Sequence, residues 1–467
     1  VIYDHDVLYL PPFYHAEKGV ANKLLRIMHS SLDRLGSFKN INWPLIFSVL
    51  DKSSKLQLTD QQKLAIQTAL TQKVSVLTGG PGTGKSTITG SIIQLLKEKH
   101  ASVLLAAPTG RAAKRLSETT DMQAKTIHRL LEFTPSEGVN FARDRENPLD
   151  ADLIIIDETS MVDILLMNHL LNAIEAGSHI LFVGDMDQLP SVGAGNVLRD
   201  LIESDVIPVI RLDTIFRQAE DSYIIVNAHR INNGEMPLFT KDAVDFFLFP
   251  EIDAVKAADW VIDLVSQRIQ NKFGFDPFKD IQILTPMHRG ACGVTELNER
   301  LQNALNPEDP RKSEVRHGSR VFRAGDRVMQ IRNDYDRKIF NGDLGVISSI
   351  DTENHIVMVN FEERMVPCET LQLEELVHAY AISIHKSQGS EFPVVVIPLL
   401  MQHYMMLQRN LLYTAVTRAR KLVVMVGDKK SIGMAVRNNK IALRNTLLKE
   451  RLQIEPEPDK NASFWKV

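Results

Sequence analysis

The chain has 467 residues, enough for two to four domains that each bury a core, and its 44% apolar content excludes global disorder. Its 54 basic and 58 acidic residues leave a net charge of −4, so a nucleic-acid partner has to be held in a local groove and not by bulk charge. The cysteines, Cys292 and Cys368, match no metal or redox spacing and suggest reduced thiols in a cytoplasmic protein, and apolar runs such as Val394 to Met401 are too short to span a bilayer.

The chain begins with Val1 and has no signal-peptide layout, so it is expected to be a fragment of a longer one. Residues 1–56 carry helical patches, Ala16 to Leu35 the clearest, and read as a mainly helical remnant of an N-terminal region or as a packing element. At Leu58 to Ile66 a helix opens, with Thr59 or Asp60 as its cap. Gln62 there is either a solvated surface residue or, shortly before a phosphate loop, an amide offering a donor and an acceptor to adenine.

Val74 to Leu77 predicts a buried strand, and Ile88, Ile92, Leu95 and Leu96 give residues 86–99 one apolar helical face. Between them Gly79-Gly80-Pro81-Gly82-Thr83-Gly84-Lys85-Ser86 fits G-x-x-x-x-G-K-[ST]. Gly80, Gly82 and Gly84 let the backbone curl so that its N–H groups meet phosphate oxygens, with Thr83 and Thr87 in the same cradle. ATP is the predicted ligand, with Lys85 on the β- and γ-phosphates and Ser86 on Mg²⁺.

From residue 74 strands and helices alternate, which predicts an α/β fold with a parallel sheet whose strands include Val103 to Ala107, Leu153 to Ile156 and Ile180 to Val183. Asp157 and Glu158 end the third strand, where acids need a cation: Asp157 suits Mg²⁺ and Glu158 the attacking water, unless the pair only caps a helix. Gln188 follows the fourth strand and suits a γ-phosphate contact, although alone it would be a surface turn. The loop and basic helix from Ala107 to Arg115, with Lys125 to Arg129, suit a phosphodiester backbone, and a solvated face explains them nearly as well. Residues 133–148 break the rhythm as a hairpin insert.

Ile281 to Thr285, Ala379 to Ile384, Val394 to Leu399 and Leu422 to Val426 predict a second α/β domain over 213–311 and 376–440, after a first domain at 57–212. Residues 312–375 read as a small five-strand barrel inserted into it, and 441–467 as a C-terminal tail. Arg217 and Arg418 stand where helix-end arginines usually face water; beside a phosphate loop they become fingers that cross a cleft onto the γ-phosphate.

Taken together LTGGPGTGKS, APTGRAAKRL, KTIHRLL, IIIDETS, GDMDQLPSVGAGNVL, IFRQ, GDRVMQIRNDY, IFNGDLG, SIHKSQGSEFP and NLLYTAVTRAR, spread over residues 58–428, resemble superfamily 1 helicases of the stand-alone RecD-type branch. The resemblance implies two RecA-like domains, a pin at 133–148, an SH3-like insert at 312–375, and movement 5′ to 3′ on single-stranded DNA up to duplex junctions. It implies that Gln62 reads adenine, that Gln188, Arg217 and Arg418 sense the γ-phosphate, and that Glu391 lies near the ribose. It makes Pro108, Thr109, Thr126, His128, Thr285, His385 and Ser387 DNA contacts. The family's N-terminal domain is absent here, which leaves open a protein partner bound through that region or through the insert; a monomer is expected. The rival readings are an ATP-switched DNA-binding or remodelling module and a subunit of a nuclease-helicase complex; no nuclease-like acidic cluster is present.

Overall fold

The computed structural model describes residues 1–53, 57–134, 140–213, 222–240, 242–334, 337–361, 364–440 and 444–454. In the first domain a six-stranded parallel sheet runs from Val209–Leu212 through Val74–Gly79, His179–Gly184, Leu153–Ile156 and Val103–Ala107 to Ala124–Thr126. Successive side chains on a strand face opposite ways, so a continuous apolar run serves two cores. Ile154 and Ile156 enter one, Leu153 and Ile155 the other.

The second domain repeats the plan with five parallel strands, ordered Phe246–Pro250, Ala419–Gly427, Phe392–Leu399, Ile281–Thr285 and Ala381–Ser383. Val395 and Ile397 pack into one of its cores, Val394 and Val396 into the other. The insert is a five-stranded antiparallel sheet, Arg364–Glu369, Ile356–Phe361, Leu344–Asp351, Arg327–Gln330 and Leu376–His378, with its own core around Phe322, Val357 and Val359. Its closing strand lies just past the expected boundary at residue 375. In the expected 133–148 hairpin Phe133–Thr134 pairs with Asn140–Phe141, and 135–139 lie outside the described residues.

The two ends of the chain both pack back on the domains. Beside the expected helices of residues 1–56, Ile2–Asp4 and Val7–Tyr9 form an antiparallel hairpin. The helix Pro11–His29 is a packing element, one of the two expected readings: Val20, Leu24 and Ile27 lie in the first domain's core. At the other end Ile432 and Val436 of the helix Lys429–Arg437 are buried in the second domain. The chain then returns, and Leu448 and Leu452 of the helix Leu448–Gln453 are buried in the first.

That return is fastened by a buried acid pair. Thr446 Oγ1 lies 2.9 Å from a carboxylate oxygen of Glu17 and 2.9 Å from one of Asp200. One hydroxyl carries one proton, so it donates to one carboxylate and accepts from the other. Glu17 also accepts from Tyr9 Oη, Leu447 N and Arg451 Nε at 3.0, 3.1 and 3.0 Å. Burial, with Glu17, Glu203 and Glu450 nearby, pushes Asp200 up to about 7 against the opposing Thr446 hydrogen bond.

An unfolded aspartate ionises near 3.8, so the folded chain binds the extra proton between these values. The stability this confers is complete below about pH 4 and is lost as pH rises through about 7. Asp200→Asn keeps a donor for Thr446 and removes the titration. Its melting temperature should exceed that of the parent at pH about 8 and converge with it towards about pH 4; parallel melting curves would refute the assignment.

Candidate nucleotide site and strand groove

The phosphate loop is built by the strand Val74–Gly79 and the helix Lys85–Glu98. Gly82 and Gly84 take φ of 72° and 88°, in the region that side chains disfavour. Gly84 caps the helix without a side-chain bond, so its first N–H groups face the loop. Lys85 Nζ donates to the carbonyls of Gly79 and Gly80 at 2.5 and 2.8 Å, and Thr83 Oγ1 donates to the latter at 2.9 Å.

These residues floor a cavity of about 710 Å³ between the two domains. Gly80, Gly82, Thr83, Gly84, Lys85, Ser86, Thr87, Asp157, Glu158 and Gln188 line it from the first domain, Glu391 and Arg418 from the second. Burial and the neighbouring Glu158 carboxylate raise Asp157 above the usual carboxylate range. Glu158 sits at φ 50°, a left-handed conformation that costs a side-chain-bearing residue about 1–3 kcal/mol and is typical of functional sites. Among the described residues no cluster of three metal-type side chains occurs. Ser86 and Asp157 both line the cavity, and their hydroxyl and carboxylate oxygens fit a magnesium ion that takes its other ligands from phosphate and water.

Arg418 is 2% exposed; its Nη1 and Nη2 donate to Ser390 O and Thr417 Oγ1 at 3.2 and 3.4 Å, and its buried Nε has no partner among the described residues. A buried guanidinium donor without an acceptor is costly, and an anion in this cavity would supply one. Glu391 joins the domains, meeting Arg115 at 2.5 Å and Arg420 at 2.7 Å.

One predicted residue is elsewhere and one is not described. Gln62 is 2% exposed and its Oε1 accepts from Thr59 N at 3.0 Å, completing a capping box at the start of the helix Asp60–Thr71, away from the cavity lining. Arg217 lies outside the described residues. Asp185 was missed, though it ends an apolar strand just as Asp157 does. It is 2% exposed, lines the cavity, and accepts from Tyr413 Oη at 2.8 Å and from Gln188 Nε2 at 3.1 Å.

A second cavity of about 790 Å³ opens across both domains and the insert, lined by Thr109, Arg111, His385, Lys386, Asn341 and Met405 among others. Thr109 and His385, two of the expected strand contacts, both belong to this lining. Thr285 and Ser387 do not: both are 0% exposed and donate to Cys292 O and Ile384 O at 2.6 and 2.7 Å, so they brace the loops and offer no side-chain surface. Pro108 and Thr126 lie outside the lining, and Thr126 Oγ1 accepts from Arg129 N at 3.2 Å as a helix cap. His128 packs on Phe133 and Phe141 at the base of the hairpin, and burial lowers its pKa.

Residues 62–194 match the AAA domain family, 297–361 the family described as the SH3 domain of ATP-dependent RecD-like DNA helicases, and 378–426 the UvrD-like helicase C-terminal domain. The chain is 36% identical over 447 residues to the ATP-dependent RecD2 DNA helicase of Deinococcus radiodurans, covering 96% of this chain and 58% of that protein. It is 31% identical over 492 residues to the RecBCD enzyme subunit RecD of Mycobacterium tuberculosis, covering 97% of this chain and 81% of that subunit. Among solved structures, Bacteroides Pif1 bound to ssDNA aligns over 79% of this chain and 92% of its own at 21% identity, with a TM-score of 0.46.

Tyr413→Phe removes one of the donors to the buried Asp185 and should cost about 1–3 kcal/mol. A lowered melting temperature with the cavity residues intact is the expected outcome; an unchanged one would mean that this contact does not hold the domains together.

Proposed function

The chain belongs to the RecD family of DNA helicases, and from that membership we propose that it is an ATP-driven motor moving 5′ to 3′ on single-stranded DNA and separating duplex DNA. The observation that carries this reading is one cavity with Lys85, Asp157 and Glu158 on one wall and Arg418 on the other, set beside a groove that crosses both domains.

ATP would place its phosphates in the loop, and Lys85 would exchange carbonyl oxygens for the β- and γ-phosphates. A magnesium ion held by Ser86 and Asp157 would supply charge neutralisation there. Glu158 orients the attacking water and takes its proton. Gln188 and Arg418 meet the γ-phosphate, and the guanidinium stabilises charge that develops in the transition state. Because the walls belong to different domains, nucleotide favours closure and product release favours opening. Thr109 on one side of the groove and His385 on the other then grip the strand alternately, with Met405 offering an apolar face to bases.

Lys85→Ala should abolish turnover while leaving strand binding, since Lys85 meets nucleotide phosphate and not DNA; retained hydrolysis would refute the site. Arg418→Ala should lower kcat by about 10³-fold with little change in ATP affinity. An equal loss of nucleotide binding would argue against a finger. The deciding experiment is unwinding of a duplex with a 5′ or a 3′ single-stranded tail, with ATP turnover recorded alongside. Unwinding of the 5′-tailed duplex alone is expected; a 3′ preference would overturn the polarity. DNA-stimulated turnover with no unwinding would favour a translocating module without strand separation.

A further inference from the structure

The loop from Gln188 to Gly195 touches both cavities. Gln188 lines the nucleotide site, and Val192, 88% exposed, lines the strand groove. Its shape is held tightly from two sides. A Cβ on Gly193 would come within 2.2 Å of Asp163 Oδ2, and Gly195 takes φ of 89°. Asp163 is itself the cap of the helix Ile164–Asn172, accepting from Leu166 N, and Ile164 N donates to Ala194 O at 2.9 Å. The other side is Arg444, which arrives from the C-terminal segment. Its Nη1 donates to Ser191 Oγ, Gly193 O and Gly195 O at 3.2, 2.6 and 2.5 Å, and its Nη2 to Ser191 O at 2.5 Å.

Backbone carbonyls at a sharp loop have few donors of their own, and one planar guanidinium answers three of them at once. The segment that carries it is anchored at both ends. Before it, the helix Lys429–Arg437 belongs to the second domain. After it, Leu448 and Leu452 are buried in the first, where Arg451 bonds Asp4 and Glu17 at 2.6 and 3.0 Å.

We propose that residues 444–453 form a strap on the first domain, and that Arg444 is a positioning residue which fixes the Gln188–Gly195 loop so that a strand at Val192 alters the placement of Gln188 in the nucleotide site. The inference rests on the motor reading above. Arg444 touches neither cavity lining; it acts through the loop it holds. A strand entering the groove pushes on Val192, and a loop braced at its neck passes that displacement to Gln188. A loop free to flex absorbs it.

The test uses the whole chain, oligothymidylate as the strand, and three proteins: parent, Arg444→Ala and Arg444→Lys. Arg444→Ala should lose about five- to tenfold of the DNA-stimulated kcat with the KM for ATP unchanged, and Arg444→Lys, whose ammonium can meet the same carbonyls, should recover most of it. Wild-type stimulation in Arg444→Ala, or a loss in KM and kcat alike that Lys does not rescue, would overturn the role. A parent chain with no strand-stimulated turnover would instead refute the motor reading itself. Should the alanine variant fail to fold, amide exchange on the parent decides: oligothymidylate should change protection at both 191–195 and 444–448, and a change confined to the first stretch would overturn the strap.

Discussion

A carboxylate buried to 2% exposure has to be paired, and the pairing of Asp185 is the constraint from which the two-domain arrangement follows. Its partners come from both sides, Gln188 from its own domain and Tyr413 from the other. The same stretch of chain gathers further bonds across the interface. Leu189 N donates to Thr414 Oγ1, Gln388 Nε2 to Leu189 O, and Asn232 Nδ2 to Asp187 Oδ2, at 3.0, 2.8 and 2.7 Å. Because these bonds are short and directional, the two domains cannot slide past each other without breaking them together. A cleft held in this way offers discrete arrangements, which is what coupling two ligands requires.

The insert is tied to this frame by a different device. Asp326, 0% exposed, accepts from Gln302 Nε2, Asn306 Nδ2 and Tyr380 Oη at 2.6, 2.8 and 3.0 Å, which fixes the insert to the second domain. Its far side reaches the first domain, where Phe340 lies against Gly110 and beneath Arg129. A Cβ on Gly110 would stand 2.9 Å from that ring, so the absence of a side chain there makes the contact feasible. The insert thereby closes one side of the second cavity, to which it contributes Asn341 and Gly342.

Much of this was legible in the sequence wherever chemistry and local pattern coincide. The phosphate loop stands between an apolar run and a helical face, and every predicted strand of both parallel sheets is present within a few residues. Val209–Leu212, Ala124–Thr126 and Phe246–Pro250 escaped because short strands at the sheet edges carry too little periodicity. Gln62 illustrates a signal that points two ways, since Thr59-x-x-Gln62 also spells a capping box, and that is the bond the side chain makes. Thr285 and Ser387 sit in motifs expected to meet DNA, yet their hydroxyls are spent on backbone carbonyls, which no spacing reveals. Arg444 had no local signal at all, because its meaning lies in a loop some 250 residues away.

The return of the chain end also sets an order of assembly. Arg451 and Glu17 are 434 positions apart, and the first domain's apolar surface is completed by Leu448 and Leu452. On a ribosome, the sheet around the phosphate loop emerges early and then waits, part of its core uncovered, while the second domain and the insert are made. Contacts of such sequence separation form late and slowly. A nascent chain of this protein therefore presents a long-lived greasy face, and chaperone dependence should reside in the domain that carries the phosphate loop.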